Sequence, residues 1–112
     1  MSIKDYLGNE VSVIVDRPLG SKHPKYDFLY DVNYGYVPNT ISGDGEEVDA
    51  YILGEDEPLR TFKGRVVAII HRTNDDDDKL VVANGNRNYT DEEIKRLTQF
   101  QEKYFKSVII RN

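Results

Sequence analysis

The sequence predicts a mainly β fold: a small OB-type barrel, closed or partly open, with one C-terminal helix. Three observations lead there. Apolar periodicity is mostly of strand type, in short β-branched runs separated by turn signals. Only one segment, near the C-terminus, combines helical spacing with a capping box. Five or six short strands in 112 residues are best protected by closing on themselves, because closure removes exposed edges. Residues 1–112 are therefore read as a single domain, just long enough for one core.

Each element has its own signal. "VSVIVDR" (Val11 to Arg17) is a β-branched strand that stops at the turn residues Pro18 to Gly20. "KYDFLYDV" (Lys25 to Val32) alternates aromatic and charged residues, so a second strand is expected from Lys25. In "NYGYVPNT", Tyr34 and Tyr36 point the same way, and Gly35 lets a neighbouring chain come close. "VDAYIL" sets Val48, Ala50 and Ile52 on one face and Asp49, Tyr51 and Leu53 on the other. "GRVVAIIHRT" (Gly64 to Thr73) is the longest apolar run and reads as a central strand. "KLVVAN" follows across an acidic loop, which makes a β-hairpin the simplest connection. Thr90 and Glu93 form the capping box of a helix whose stripe is Ile94, Leu97, Phe100, Tyr104 and Phe105, and this helix is expected to plug one end of the barrel. "SVIIR" supplies a last short strand.

Composition narrows the function classes. The chain has 38% hydrophobic and 31% charged residues, the balance of a folded globule. Its formal net charge of -5 argues against broad binding to nucleic acid or to an anionic membrane. With no cysteine, it has no disulfide, thiolate metal site or cysteine nucleophile. No run is long enough to cross a bilayer as a helix, and "MSIKDYLGNE" has no apolar signal region, so a cytoplasmic setting is the expectation.

Two acidic clusters raise the question of a metal. "ISGDGEEVDAYIL" crowds Asp44, Glu46, Glu47 and Asp49 together just before a strand. Either these carboxylates face water around a turn, or they hold a cation; on this string alone the polar turn is the commoner outcome. Hard oxygen ligands without His or Cys favour magnesium or calcium over zinc. "NDDDDK" (Asn74 to Lys79) is likewise either a solvated hairpin tip or the completion of a two-metal site with Asp44 and Asp49. Lys79 would then reach an anionic substrate from the start of the next strand. His23, in a turn, reads as a surface residue, and His71 as a packed one. The tyrosines of "NYGYVPNT" can donate to phosphate oxygens, although such aromatics are more often packing.

Five landmarks in order resemble the soluble family I inorganic pyrophosphatases: "PLGSKHPKYD", "NYGYVPNT", "DGEEVDAYIL", "DDKLVV" and "FQEKYFK". The family's counterparts are a G-S-x-x-K-Y-E stretch, an N-Y-G-[YF]-[IV]-P-x-T stretch, the signature D-G-D-P-[LIV]-D-V, a D-x-K-[LIV] strand start and a helical Tyr-Lys pair. The resemblance implies an OB-type barrel that hydrolyses inorganic diphosphate to two phosphates with Mg2+, through a metal-activated water. Carried over by position, Asp44, Glu46 and Asp49 match the metal-holding signature carboxylates. Glu46 falls where the family helps to activate the water. Asp77 and Asp75 match further metal-binding aspartates, the second in an uncertain register with Asn74. Lys79 matches the lysine that follows, Lys25 a phosphate-binding lysine and Asp27 a neighbouring acid. Tyr34 matches a tyrosine beside the metals, and Tyr104 the helical tyrosine on the phosphate. The implied catalytic set is Asp44, Glu46, Asp49 and Tyr34, with Lys25, Lys79 and Tyr104 on the substrate.

The chain also departs from the family pattern. The hairpin that carries a phosphate-binding arginine is replaced by "FLYDV", leaving Arg17, Lys22 and Arg72 as the candidates to substitute for it. Glu46 stands for an aspartate, Glu47 for the usual proline, and Phe105 for a lysine. Two alternatives follow beside diphosphate hydrolysis: hydrolysis of a related phosphoanhydride, or a metal and phosphate-binding module with little turnover. An OB-type nucleic-acid binder would need a basic aromatic face, which the acidic clusters oppose. Exposed aromatics on a shortened barrel predict a homo-oligomer.

Overall fold

A computed structural model describes residues 2–42, 45–75 and 77–111. Six strands and one helix follow a short 3-10 turn at Ile3–Tyr6: β1 (Glu10–Arg17), β2 (Asn33–Val37), β3 (Val48–Leu53), β4 (Thr61–Arg72), β5 (Asp78–Ala83), α1 (Asp91–Glu102) and β6 (Ser107–Ile110). The strands are ordered β1-β2-β3-β5-β4-β6, and β1 also pairs with β4. That extra pairing closes five strands into a barrel, the OB-type architecture read from the sequence, with β6 extending the sheet beyond it. Neighbours are antiparallel except β3 and β5, which run parallel.

Strand β4 makes closure possible. Its 12 residues pair with β1 through Thr61 to Arg65, with β5 through Arg65 to His71, and with β6 through Ile69 to Arg72. A bulge between Val66 and Ala68 lets so long a strand bend around the barrel. Gly35 on β2 packs where a Cβ would overlap the Ile14 carbonyl of β1, so the tight β1–β2 approach requires glycine.

Side chains alternate between two cores. Val13, Val48, Ile52, Ile69, Leu80 and Val82 fill the barrel interior, with Ile3, Tyr6 and Leu7 of the 3-10 turn packed against them. The residues between them on the same strands, Tyr51, Leu53, Ile70 and Val81, face outward and are covered by Ile94 and Phe100 of α1. The helix therefore lies on the outer wall of β3, β5 and β4 and does not plug an end. The 3-10 turn, which has no long apolar stripe to signal it, is what packs on the interior.

Two further expectations change. "KYDFLYDV" is not a strand: residues 19–32 form a compact loop pinned by one bridge, Lys22 to Leu29, and by backbone hydrogen bonds such as Tyr30 N–H to Ser21 O. Its alternation reflects aromatic packing on a wall, not pairing in a sheet. Helix α1 does start at the Thr90–Glu93 capping box, with Thr90 Oγ1 accepting from Glu93 N–H, but it ends at Glu102. Tyr104 and Phe105 lie in the turn beyond it. Among the described residues no helix is long and apolar enough to cross a membrane.

Candidate active site

The outward face of the barrel wall carries charge at the end where β2, β3 and β5 are neighbours. Asp49 is the first outward residue of β3, and Lys79 pairs with it in the parallel β3–β5 register. The Lys79 ammonium, on a buried side chain, donates to Asp49 Oδ2 at 2.6 Å and to Asp77 Oδ2 at 2.7 Å. Tyr34, diagonal to Asp49 across the β2–β3 pair, donates its hydroxyl to the same Asp49 oxygen at 2.7 Å. Burial, followed by the Asp49 charge, holds the Tyr34 phenol well above its ordinary pKa, so it stays a donor.

A second polar group continues this one under the helix. Arg72, the last residue of β4, makes a paired hydrogen bond to Glu102, Nε to Oε1 at 3.1 Å and Nη2 to Oε2 at 2.6 Å. Its guanidinium stacks 3.6 Å from the Phe105 ring centroid, and its Nη1 lies 3.6 Å from Asp75 and 3.9 Å from Asp77. Burial opposes the Arg72 charge, yet the hydrogen bonds and charge of Glu102 hold its pKa above the ordinary value. Glu102 also accepts from Tyr51 at 2.6 Å, and Gln101 joins Tyr51 to Tyr30. Every charged member of this buried group has an opposite partner, the condition under which such burial is tolerated.

Asp16 and Arg17 reach the same face through a bulge. Val15 pairs with Gly35 but Arg17 pairs with Tyr34, so Asp16 is an extra residue in β1. The bulge re-aims the end of a strand whose preceding valines face inward. Asp16, Arg17, Tyr34, Asp49 and Arg72 then border one cleft of about 270 Å³, closed on its far side by aromatic residues of loop 19–32 and the turn after α1. Burial pushes the Asp16 carboxyl above the usual carboxylate range, against the pull of Arg17 and with the help of Asp49.

The structure thus brings together Tyr34, Asp49, Asp77 and Lys79, with Asp75 adjoining through Arg72. Tyr104 borders the cleft. Glu46 lies exposed in the turn before β3, outside the residues that border the cleft, and Lys25 is exposed at the tip of loop 19–32. Asp44 lies outside the described residues. Of the three candidates to replace the family's arginine, Arg17 and Arg72 border the cleft, whereas Lys22 is exposed and pairs with Asp27 at 3.5 Å. Sequence reasoning passed over Asp16 and Glu102. The charged pair Asp16-Arg17 before a proline turn was a visible signal for the first, but the bulge was not.

Among the described residues no three carboxylates or imidazoles are grouped to hold an ion. What is arranged is two carboxylates, Asp49 and Asp77, converging on one cationic centre, the Lys79 ammonium. Lys79 bridges these two carboxylates, whose hard oxygens are of the donor type that magnesium or calcium takes.

The fold is thus a closed five-stranded barrel that gathers carboxylates, a buried lysine and a tyrosine on its outer wall. Residues 9–109 match the sequence profile of the family described as Inorganic pyrophosphatase, and the chain belongs to that family. The inorganic pyrophosphatase of Rickettsia prowazekii is 26% identical over 123 aligned positions, covering 90% of this chain and 72% of that protein. The inorganic pyrophosphatase of Xylella fastidiosa is 35% identical over 78 residues, 54% of this chain but only 42% of that protein, so the chain spans less than half of this relative's length. In fold, it is similar to the crystal structure of the Ehrlichia chaffeensis inorganic pyrophosphatase, with a TM-score of 0.70 at 18% identity, covering 90% of this chain and 84% of the other. The Thermus thermophilus structure gives a TM-score of 0.64 at 16% identity, covering 100% of this chain and 87% of that one.

Proposed function

We propose that this chain hydrolyses inorganic diphosphate to two phosphates with Mg2+, in the cleft beside Asp49. The observation that carries the proposal is the meeting of Tyr34, Asp49, Asp77 and Lys79 within hydrogen-bond distance, from three neighbouring strands and one loop. Family membership supports the same reading.

Asp49 and Asp77 would hold the metal, with Asp75 beside them. When bound, magnesium neutralises phosphoryl oxygens and lowers the pKa of water. The chain's own groups do the rest. Lys79 supplies a buried ammonium, which binds an anionic oxygen far better than one in water does. Tyr34 keeps its proton and orients the Asp49 carboxylate. Arg17 adds positive charge at the cleft, and Arg72 holds the loop of Asp75 and Asp77 against the barrel. Asp16, with its raised affinity for a proton, is the group of the cleft best suited to take one up. Lys25 and Tyr104 are the outer candidates for contact with the departing phosphate.

Phosphate release from diphosphate in the presence of magnesium tests this. Asp49→Asn should lower the rate by roughly a hundredfold or more, the scale of losing one preorganised charged group. Equal background release from wild type and variant would overturn the assignment.

A further inference from the structure

Inorganic diphosphate has no apolar surface, yet one wall of the cleft is built from rings. Tyr26 and Phe28 of loop 19–32 meet Tyr104 of the turn after α1: Tyr26 lies 13° from parallel to Tyr104 with centroids 5.5 Å apart, and Phe28 stacks on Tyr104 at 5.8 Å. Behind them Phe28 packs on Phe100 and Tyr30. Packing explains the inner rings. It does not explain Tyr26 and Tyr104, which stay 51% and 50% exposed at the mouth. Large apolar groups held in water beside a charged site mark a binding surface.

The loop that presents these rings is rigidly organised. The backbone N–H groups of Lys25 and Tyr26 both donate to His23 Nδ1, at 3.0 and 3.1 Å, which leaves a neutral ring with its proton on Nε2. Arg17, Arg72 and Asp49 line the same cleft. At about 270 Å³, with Tyr26 and Tyr104 in its aromatic wall, the cleft approaches the size of an organic-ligand site. Flat exposed rings on one side and phosphate-binding groups on the other match one chemical class.

We propose that the cleft takes a phosphoanhydride carrying a heteroaromatic base, the nucleoside diphosphate class, with the base stacked on the exposed face of Tyr26 and the phosphates toward Arg17, Asp49 and Lys79. This deepens the reading of the cleft as a phosphoanhydride hydrolase and rests on it. One water is consumed. Its oxygen bonds to the terminal phosphorus, the bridging P–O bond breaks, and the nucleoside monophosphate leaves with that electron pair while the water's proton is released.

Proton NMR of a nucleoside diphosphate titrated with the full chain reads stacking directly, because rings above a base move its proton signals upfield and phosphate contact alone does not. Wild type should shift the base protons, and Tyr26→Ala should weaken the apparent affinity about tenfold, the scale of one lost stacking partner. Phosphate release, followed in parallel, should show kcat/KM for the nucleoside diphosphate falling about tenfold more in Tyr26→Ala than kcat/KM for inorganic diphosphate. Tyr26→Phe should restore both readouts. Diphosphate hydrolysis without base shifts, or shifts indifferent to Tyr26, would overturn the stacking proposal while leaving the proposed function standing. Base shifts lost in Tyr26→Ala, in a chain that releases no phosphate from diphosphate, would uphold base stacking and overturn the hydrolase reading. If Tyr26→Ala changes only the mass in sedimentation, the rings are a contact with a second copy of the chain and the proposal fails.

Discussion

Val48, Ala50 and Ile52 face the barrel interior, while Asp49, Tyr51 and Leu53, interleaved with them on β3, face outward. The interior is built mainly of aliphatic side chains, and its buried Asn33 is satisfied by backbone groups of Leu19, Glu57 and Leu59. The outer wall holds Lys79, Arg72 and Glu102 nearly out of water, each tied to an opposite charge. The two regions share strands and backbone, so the difference lies wholly in their side chains. One face supplies stability in proportion to buried apolar area. The other buries charge at a cost that its partners offset, and those partners hold the groups in fixed places.

The sharpest way to break that contrast is to remove one partner of the buried ion pair. Arg72→Met should cost about 3–5 kcal/mol in denaturant unfolding, because Glu102 is left charged and unpaired, and it should lower phosphate release as the Asp75–Asp77 loop loses its anchor. Combined with Glu102→Gln it should recover much of the stability and little of the activity. The converse is an interior cavity. Ile52→Ala should cost about 2–5 kcal/mol by the same measurement while the folded fraction keeps its rate per molecule. An equal loss of rate in both variants would mean that the two faces are not separable.

A smaller effect probes the protons of the outer wall. Burial pushes the Tyr30 phenol up to about 12. The unfolded phenol ionises near 10, so between these values the unfolded chain binds fewer protons and stability falls as pH rises. Tyr30→Phe should flatten part of that decline in melting curves taken from pH 9 to 12, while losing about 1 kcal/mol at neutral pH with the hydrogen bond to Gln101. The least costly change is at the helix start. Thr90→Ala should cost about 1 kcal/mol through the lost cap and leave the cleft chemistry intact, measured by unfolding and by phosphate release together.

The features legible in advance were local ones. Strand alternation in "VDAYIL" sorted Asp49 from Ala50 correctly because a strand's period of two needs no knowledge of its neighbours. The Thr90–Glu93 capping box marked the helix start for the same reason, since all its atoms lie within one turn. The hairpin before Lys79 was legible from an acidic loop between two apolar runs. The errors came where distant partners decide the outcome. "KYDFLYDV" alternates as a strand does, but its rings find partners on Phe100 and Tyr104, far along the chain. The helix has one apolar stripe, and a stripe fits a barrel's wall as well as its end.

By itself, then, the sequence determined which residues could form strands, where the helix begins, and that carboxylates, lysine and tyrosine recur at spacings resembling one family's. Only the tertiary structure decided that Asp49 and Asp77, 28 positions apart, would meet on Lys79, that a bulge would turn Asp16 toward them, and that Arg72 would be held by Glu102. The physical reason is that strand register, bulges and helix docking depend on partners distant in sequence. A short string specifies a face, and the closure of the barrel specifies which faces share a cleft.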